Sequence, residues 1–166
     1  SGVIVPPKIL TLIRKLASGE GSVQLAVAEK SVFVQFENQR ISSALIEGQF
    51  PNYRRVIPEE QQYRVLVRRD ELQEALKRVS LLVEKSRRVY LTVSSEGITL
   101  KSEESDIGQA TEEISCEYEG PEITLALNFT YLMDPLRVLD TEEISMNFTE
   151  SNKAITIHPE PHPDYF

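Results

Sequence analysis

Residues 50–58 have the sequence Phe50-Pro51-Asn52-Tyr53-Arg54-Arg55-Val56-Ile57-Pro58. This stretch combines two prolines, two aromatic rings and an arginine pair, and it lies between repeated units of the chain. The prolines restrict the backbone, while the rings and the guanidinium groups offer apolar and polar contacts. The composition therefore indicates a surface site rather than a plain spacer.

Three predicted helices surround this stretch, with starts about sixty residues apart. The first is expected to begin at Pro7, because proline has no N–H to lose in a first helical turn. Asp70 and Asn128 are the expected N-caps of the second and third helices. Apolar residues at helical spacing support the assignment of each helix. The apolar stripe of the first helix is Ile9, Leu12, Ile13 and Leu16, and that of the second is Leu72, Leu76, Val79 and Leu82 or Val83. The corresponding residues of the third helix are Tyr131, Leu132, Leu136 and Leu139.

Alternating apolar and polar residues predict antiparallel strands after each helix. The segment from His158 to Asp164, which contains three prolines, is expected to be a loop. The order of elements predicts an α+β fold built from repeated helix-plus-sheet units. The expected strands lie at residues 23–27, 32–36, 41–47, 89–93, 98–100, 144–148 and 155–157, with one or two more running through Cys116 and Tyr118.

Length and composition predict a soluble, cytoplasmic protein with a real core. The chain has 166 residues, of which 40% are hydrophobic. No apolar run approaches the length of a membrane-spanning helix, and the N-terminus lacks the charged region of a signal peptide. Cys116 is the single cysteine, so an internal disulfide is impossible.

Charge is segregated along the chain, although the net value is −8. Residues 1–18 hold three bases and no acid, whereas residues 102–122 hold eight acids and no base. A protein that is acidic overall can therefore present a basic face to phosphates. The net charge does not exclude DNA as a partner.

The nine-residue stretch resembles the linker between the second and third domains of the bacterial DNA sliding clamp, the beta subunit of DNA polymerase III. The resemblance extends to Val3-Ile4-Val5-Pro6 ahead of a basic helix. It also includes Leu127-Asn128-Phe129-Thr130-Tyr131-Leu132 at the start of the last helix. It covers the whole chain in order.

The resemblance implies a DNA clamp fold, with helices inside a ring and sheets outside. The full-length chain would form a homodimer with three similar domains per subunit. Residues 1–63 would be the second half of the middle domain, and residues 64–166 the C-terminal domain without its final strand and tail. Such a ring needs neither catalysis nor a cofactor, because it slides on double-stranded DNA and tethers DNA polymerase as a processivity factor.

The resemblance also implies that basic residues on the first two helices face DNA. The DNA-facing candidates are Lys8, Arg14, Lys15, Lys77 and Arg78. The alternative is that these residues lie on an ordinary solvated helix surface. Many clamps have a basic residue where this chain has Pro7.

One of these candidates also has an expected partner on its own helix. Glu74 and Arg78 are spaced as an i,i+4 ion pair.

A peptide-binding pocket is the second implied site. In the family it lies between the second and third domains, where polymerases, the clamp loader and repair factors insert short apolar-ended linear motifs. Rigid prolines and apolar side chains would form its walls, with Arg55 as a polar handle. The alternative is that Pro51, Tyr53 and Val56 only pack the domain junction. The implied wall residues are Pro51, Arg55, Val56, Asn128, Tyr131, Met133, Asn152 and Ala154.

The third implied site closes the ring at the end of the second helix. An exposed leucine pair beside basic residues is typical of an interface, although core packing is the alternative for Leu82. The residues implied in dimer contact are Leu81, Leu82, Lys85, Arg87 and Arg88.

Catalytic and metal-binding patterns are weak. His158 and His162 are separated by prolines and lack a third compact ligand, so a metal site is not expected. Adjacent carboxylates such as Glu112 and Glu113 point apart on a strand and do not form an acid–base pair. The competing hypothesis is a generic α+β scaffold, or an enzyme domain whose site lies outside this sequence.

Overall fold

The computed structural model describes residues 2–17, 21–83 and 86–161. It divides into two compact units, Ser1–Asn52 and Tyr53–Phe166. The division lies inside the nine-residue stretch, whereas the boundary predicted from the sequence follows residue 63. Residues just after the division bond to the last hairpin of the second unit; Gln61 Nε2, for example, donates to the Asn147 carbonyl at 2.6 Å.

The described part of the first unit is one helix packed on one three-stranded sheet. Helix α1 (Pro7–Leu16) begins at Pro7, as predicted. Strands β1 (Gln24–Val27), β2 (Ser31–Phe36) and β3 (Gln39–Ala44) pair antiparallel in that order. The predicted helix and hairpins of this unit are therefore confirmed.

The core of the first unit is small. Ile9 of α1 is buried against a cluster formed by Val32, Val34 and Phe36 of β2. The prediction that Leu12 and Leu16 share the buried stripe is wrong, since both are exposed. Within this unit a single sheet covers only the side of α1 that carries Ile9 and the half-buried Ile13.

In its described residues, the second unit contains two α-helices and two four-stranded antiparallel sheets. It opens with a short 3-10 helix (Tyr53–Arg55). The other elements, in chain order, are β4 (Tyr63–Arg68), α2 (Arg69–Ser80), β5 (Arg88–Ser94), β6 (Gly97–Ser102), β7 (Thr111–Ile114), β8 (Glu117–Tyr118), β9 (Ile123–Asn128), α3 (Phe129–Val138), β10 (Glu143–Phe148) and β11 (Thr156–Glu160).

The two sheets have the strand orders β11-β10-β4-β8 and β7-β6-β5-β9. Helix α2 contacts α3, and both helices contribute to one hydrophobic core. The period-two alternation of Val89, Leu91 and Val93 places these residues on the buried face of β5. These two helix-plus-sheet halves confirm the α+β prediction.

The start of α2 differs from the prediction. The helix begins at Arg69, the N-cap position is Arg68, and no side chain caps it. Asp70 lies inside the first turn, where its negative charge interacts favourably with the positive end of the helix dipole. It bonds to the guanidinium of Arg68 at 3.1 Å, and this bond holds the pKa of Asp70 below its usual value. The N-cap prediction for Asp70 is wrong, because the helix begins two residues earlier, with Arg68 at the N-cap position.

The last strand is longer than predicted. Residues 158–160 were expected to form a loop, but β11 continues to Glu160 and pairs with β10 throughout. Prolines are tolerated there because β11 is an edge strand, which needs hydrogen bonds on one side only. His162 lies outside the described residues.

No helix in the described parts of the chain has the length and apolar character needed to cross a membrane.

Candidate functional site

The first wall of the candidate site is formed by the residues that follow the 3-10 helix. The Val56 amide donates to the Tyr53 carbonyl at 3.0 Å, which closes this helical turn. Pro58 follows shortly, and its ring prevents the helix from continuing. The Val56 side chain is 73% exposed. An apolar side chain this exposed is available for contact with a ligand.

The second wall is the loop between β10 and β11. The two strands pair up to Asn147 and Thr156, so the intervening residues turn back at the end of the sheet. The Lys153 amide donates to the Glu150 carbonyl at 3.2 Å within this turn. Ala154, one of the predicted pocket residues, lies where the chain returns toward β11.

A groove of about 370 Å³ lies between the two walls, entirely within the second unit. Its floor combines apolar side chains with charged groups of both signs. Two acids and two bases surround the apolar part, so the groove has no uniform charge. The lining residues are Arg55, Val56, Ile57, Pro58, Glu60, Thr149, Glu150, Lys153 and Ala154.

A second concave surface of similar volume, about 390 Å³, lies over β5, β6 and β7. It is lined mainly by hydroxyl and carboxylate side chains, including Thr92, Thr99 and Glu113. Ligand sites in proteins are mainly apolar, with a few placed polar groups. The groove beside Val56 matches this description better than the surface over β5, β6 and β7 does, and it contains predicted pocket residues, so we take it as the candidate site.

The structure brings together Arg55, Val56 and Ala154 of the predicted pocket. Ile57 and Pro58 were missed, although they belong to the quoted stretch, and Lys153 was missed beside two predicted residues. Thr149 and Glu150 had no local signal, because only the pairing of β10 with β11 carries them to the groove.

Other predicted pocket residues lie elsewhere in the second unit. Met133 is 1% exposed and belongs to the hydrophobic core, so it is not a surface wall. Asn128 accepts a hydrogen bond from the Thr130 amide at 2.9 Å and acts as the N-cap of α3, as predicted. Tyr131 and Asn152 are exposed but do not line the groove. Pro51 belongs to the first unit.

The predicted DNA-facing residues form two groups. On α1, Lys8, Arg14 and Lys15 are exposed and form no ion pair with another described residue. On α2, by contrast, Lys77 is paired with Glu74 and Arg78 with Glu112. The α1 cations are therefore the ones that remain available to an external anion.

The pairing on α2 differs from the expected Glu74–Arg78 ion pair. Glu74 bonds to Lys77 at 2.6 Å instead. Arg78 reaches across to β7, where its guanidinium donates to both carboxylate oxygens of Glu112 at 2.9 and 2.7 Å. This bond raises the pKa of Arg78 and lowers that of Glu112. A fork-shaped guanidinium favours such a bidentate partner over the exposed neighbour on its own helix.

The predicted dimer residues lie around the end of α2. Leu81 is 80% exposed, whereas Leu82 is half-buried. Arg87 has a positive φ of 53°, and Arg88 lies 4.0 Å from Glu103. Lys85 lies outside the described residues.

Two family descriptions match the chain. Residues 54–165 match the C-terminal domain of the DNA polymerase III beta subunit, and residues 1–52 match its central domain. Among curated relatives, the beta sliding clamp of Treponema pallidum is 47% identical over an alignment of 171 residues, which covers 100% of this chain and 46% of that protein. The beta sliding clamp of Borreliella burgdorferi is 34% identical, over 95% of this chain and 42% of that protein.

Solved structures give the same result. The DNA polymerase sliding clamp of Pseudomonas aeruginosa bound to griselimycin has a TM-score of 0.90 and 31% identity, over 98% of this chain and 44% of that one. The Caulobacter crescentus beta sliding clamp has a TM-score of 0.92 and 31% identity, over 98% and 44%. The chain thus spans less than half the length of the relatives it matches. Because both family descriptions match and together cover nearly all its residues, the chain belongs to the DNA polymerase III beta subunits, the bacterial beta sliding clamps.

Proposed function

We propose that the full-length protein is a processivity factor that encircles double-stranded DNA as a ring-shaped homodimer and tethers DNA polymerase to it. The single observation that carries this proposal is the 47% identity to the Treponema pallidum beta sliding clamp over the whole chain. On this proposal the chain contains part of the middle domain and most of the C-terminal domain. It has no catalytic role of its own.

A ring binds DNA by topology, so it needs only weak, sequence-independent attraction to phosphates. The exposed cations Lys8, Arg14 and Lys15 suit this role, because no described acid is paired with them. Lys77 and Arg78 would have to leave Glu74 and Glu112 to contact DNA. We therefore assign the main DNA-facing surface of this chain to α1.

Partners would bind the groove beside Val56 through short linear motifs. Exposed Val56 and Ile57 and the rigid Pro58 offer apolar surface at low entropic cost, and Arg55 and Lys153 can bind a backbone carbonyl or an acid. DNA polymerase, the clamp loader and repair factors are the proposed partners. Leu81, exposed at the end of α2, is the proposed contact with the second subunit.

Retention on circular DNA tests the ring. The full-length protein is loaded by its clamp loader onto a nicked circular plasmid, and the bound protein is separated from the free protein by gel filtration. We expect the protein to elute with the circle and to be lost after a restriction enzyme linearises it, because an open end lets the ring slide off. Equal retention on linear DNA would contradict encirclement.

The groove is tested by substitution in the full-length protein, with griselimycin as the probe and isothermal titration calorimetry as the measurement. Val56→Ala combined with Ile57→Ala should lower the affinity about ten-fold or more, because both side chains line the groove and would be buried by a bound ligand. The matched control is Val138→Ala, since Val138 is 75% exposed on the same unit but does not line the groove. Unchanged affinity in the double variant would exclude the groove as the binding site.

A further inference from the structure

The side chain of Gln61 connects the two walls of the groove. Its Nε2 donates to the Asn147 carbonyl at 2.6 Å and to the Ala154 carbonyl at 3.3 Å. Its Oε1 accepts a hydrogen bond from the Thr156 hydroxyl. Gln61 directly follows the first wall. Of its three partners, Ala154 lies in the loop that forms the second wall, and Asn147 and Thr156 lie at the two ends of that loop.

These bonds use the whole amide group. A glutamine amide has two N–H donors and one carbonyl acceptor, and each of them has a partner here. The two backbone carbonyls require the NH₂ end, and this requirement determines the orientation of the amide. No other uncharged side chain of this length offers two donors and one acceptor in this arrangement.

Neighbouring groups extend the connection. The Thr156 hydroxyl also lies 3.0 Å from Nε2 of His158 on β11. On the other side, the Gln62 amide donates to the Thr149 hydroxyl at 3.4 Å, and that hydroxyl lies 3.5 Å from the Glu60 carbonyl. The last two distances are long, so the Gln61 amide provides the shortest bond between the walls.

Ile155 packs against the hydrophobic core at one end of the loop, but the loop has few other hydrogen bonds. Its internal turn bond joins Lys153 and Glu150, and residues 151–154 are exposed. Ala154 lines the groove, and its carbonyl is held by Gln61. Without the amide, the separation of Val56 from Ala154 would depend on weaker contacts.

We propose that Gln61 is a positioning residue that sets the width of the groove by holding the 149–155 loop against the segment that carries Val56. This inference rests on the proposed function of the groove for its consequence in binding. Gln61 does not line the groove, so it acts through the residues it holds.

The test compares Gln61→Glu with Gln109→Glu in the full-length protein. Glutamate has the same shape but offers only acceptors when ionised. At position 61 its carboxylate would therefore face the Asn147 and Ala154 carbonyl oxygens without a hydrogen to donate to either. Gln109 is the matched control, because its Nε2 also donates to a backbone carbonyl, that of Ser102 at 3.2 Å, but Ser102 belongs to neither wall of the groove. Gln61→Met, which removes all polar groups at similar length, is the second variant in case the glutamate prevents folding.

Hydrogen–deuterium exchange of residues 149–155 is the first measurement, and griselimycin affinity is the second. We expect both Gln61 variants to raise exchange in this loop and to lower the affinity about ten-fold, which corresponds to the loss of one or two net hydrogen bonds. Gln109→Glu should change neither. Unaltered loop exchange in both Gln61 variants, or an equal loss of affinity in Gln109→Glu, would overturn the positioning role.

Failure of the proposed function gives a different result. If the parent protein does not bind griselimycin and Gln61→Glu still raises exchange in the loop, the groove lacks the proposed ligand while Gln61 keeps its role. If the parent binds griselimycin and the Gln61 variants bind it equally well with unchanged exchange, the proposed ligand binds the protein and only the inference about Gln61 is wrong.

Discussion

Asn128 shows how a single side chain determines where an element begins. Its Oδ1 accepts from the Thr130 amide, one of the N–H groups at a helix start that have no partner within the helix. The residue was identified from sequence as a cap because its side chain can make this local bond. The resemblance also placed it in the pocket, but the capping bond already explains its position.

Substitution of Asn128 by alanine should destabilise the second unit by about 1 kcal/mol, the usual cost of losing an N-cap. Urea denaturation followed by circular dichroism measures the change in free energy of unfolding. Asn152→Ala is the control, since Asn152 is exposed and caps no described helix. A loss at Asn152 as large as that at Asn128 would contradict the capping role.

Met133 and Val56 show the limit of prediction at the same scale. Both are apolar, and both were assigned to the pocket from sequence. Met133 lies on the side of α3 that enters the core, whereas Val56 follows a short 3-10 helix and is exposed. Residue type alone does not distinguish these environments, because burial depends on which other elements cover the side chain.

At the scale of elements, α2 is tied to β7 by the pair Arg78–Glu112. The two residues are 34 positions apart, and the predicted i,i+4 partner of Arg78 was Glu74. Helical spacing reveals only partners on the same helix, so the sequence could not show a partner on a neighbouring strand. The hydrogen bond from Arg78 lowers the pKa of Glu112 below its usual value of 4.5.

This pair predicts a pH dependence of stability. Because the pKa of Glu112 is lower in the folded state, the pair stabilises the fold above about pH 4.5, and the contribution is lost as the pH falls through the folded pKa. Glu112→Gln should therefore lower the Tm slightly at pH 7, with the difference from the parent vanishing in acid. The effect is small because the pair is exposed to solvent.

Differential scanning calorimetry between pH 7 and pH 3 measures this change. Glu113→Gln is the matched control, since Glu113 is on the same strand and forms no ion pair with another described residue. A Tm difference for Glu112→Gln that stays constant down to pH 3 would show that the pair does not stabilise the fold through this ionisation.

At the scale of the whole molecule, the two units differ greatly in core size. Among the described residues, the second unit buries nineteen hydrophobic side chains in one cluster, and the first buries four. Small domains bury a low fraction of their surface and are only marginally stable. Residues 1–52 therefore have little to stabilise them when separated from other parts of the protein.

Expression of the two units as separate polypeptides tests this difference. We expect residues 53–166 to give a cooperative urea transition by circular dichroism, because their core joins both sheets and both helices. We expect residues 1–52 to unfold without a cooperative transition. Cooperative unfolding of residues 1–52 alone would contradict this expectation, because it would show that four buried side chains are enough to stabilise the unit by itself.

The sequence by itself determined the α+β class, the starts of α1 and α3 and the family, because these depend on periodicity, caps and motifs that are local in the chain. Within the groove, it identified Arg55, Val56 and Ala154. Only the tertiary structure decided that Met133 is buried, that Leu12 and Leu16 are exposed, and that Thr149 and Glu150 lie beside Val56. Those outcomes depend on which distant elements meet, since strand pairing and helix packing join residues that are far apart in sequence.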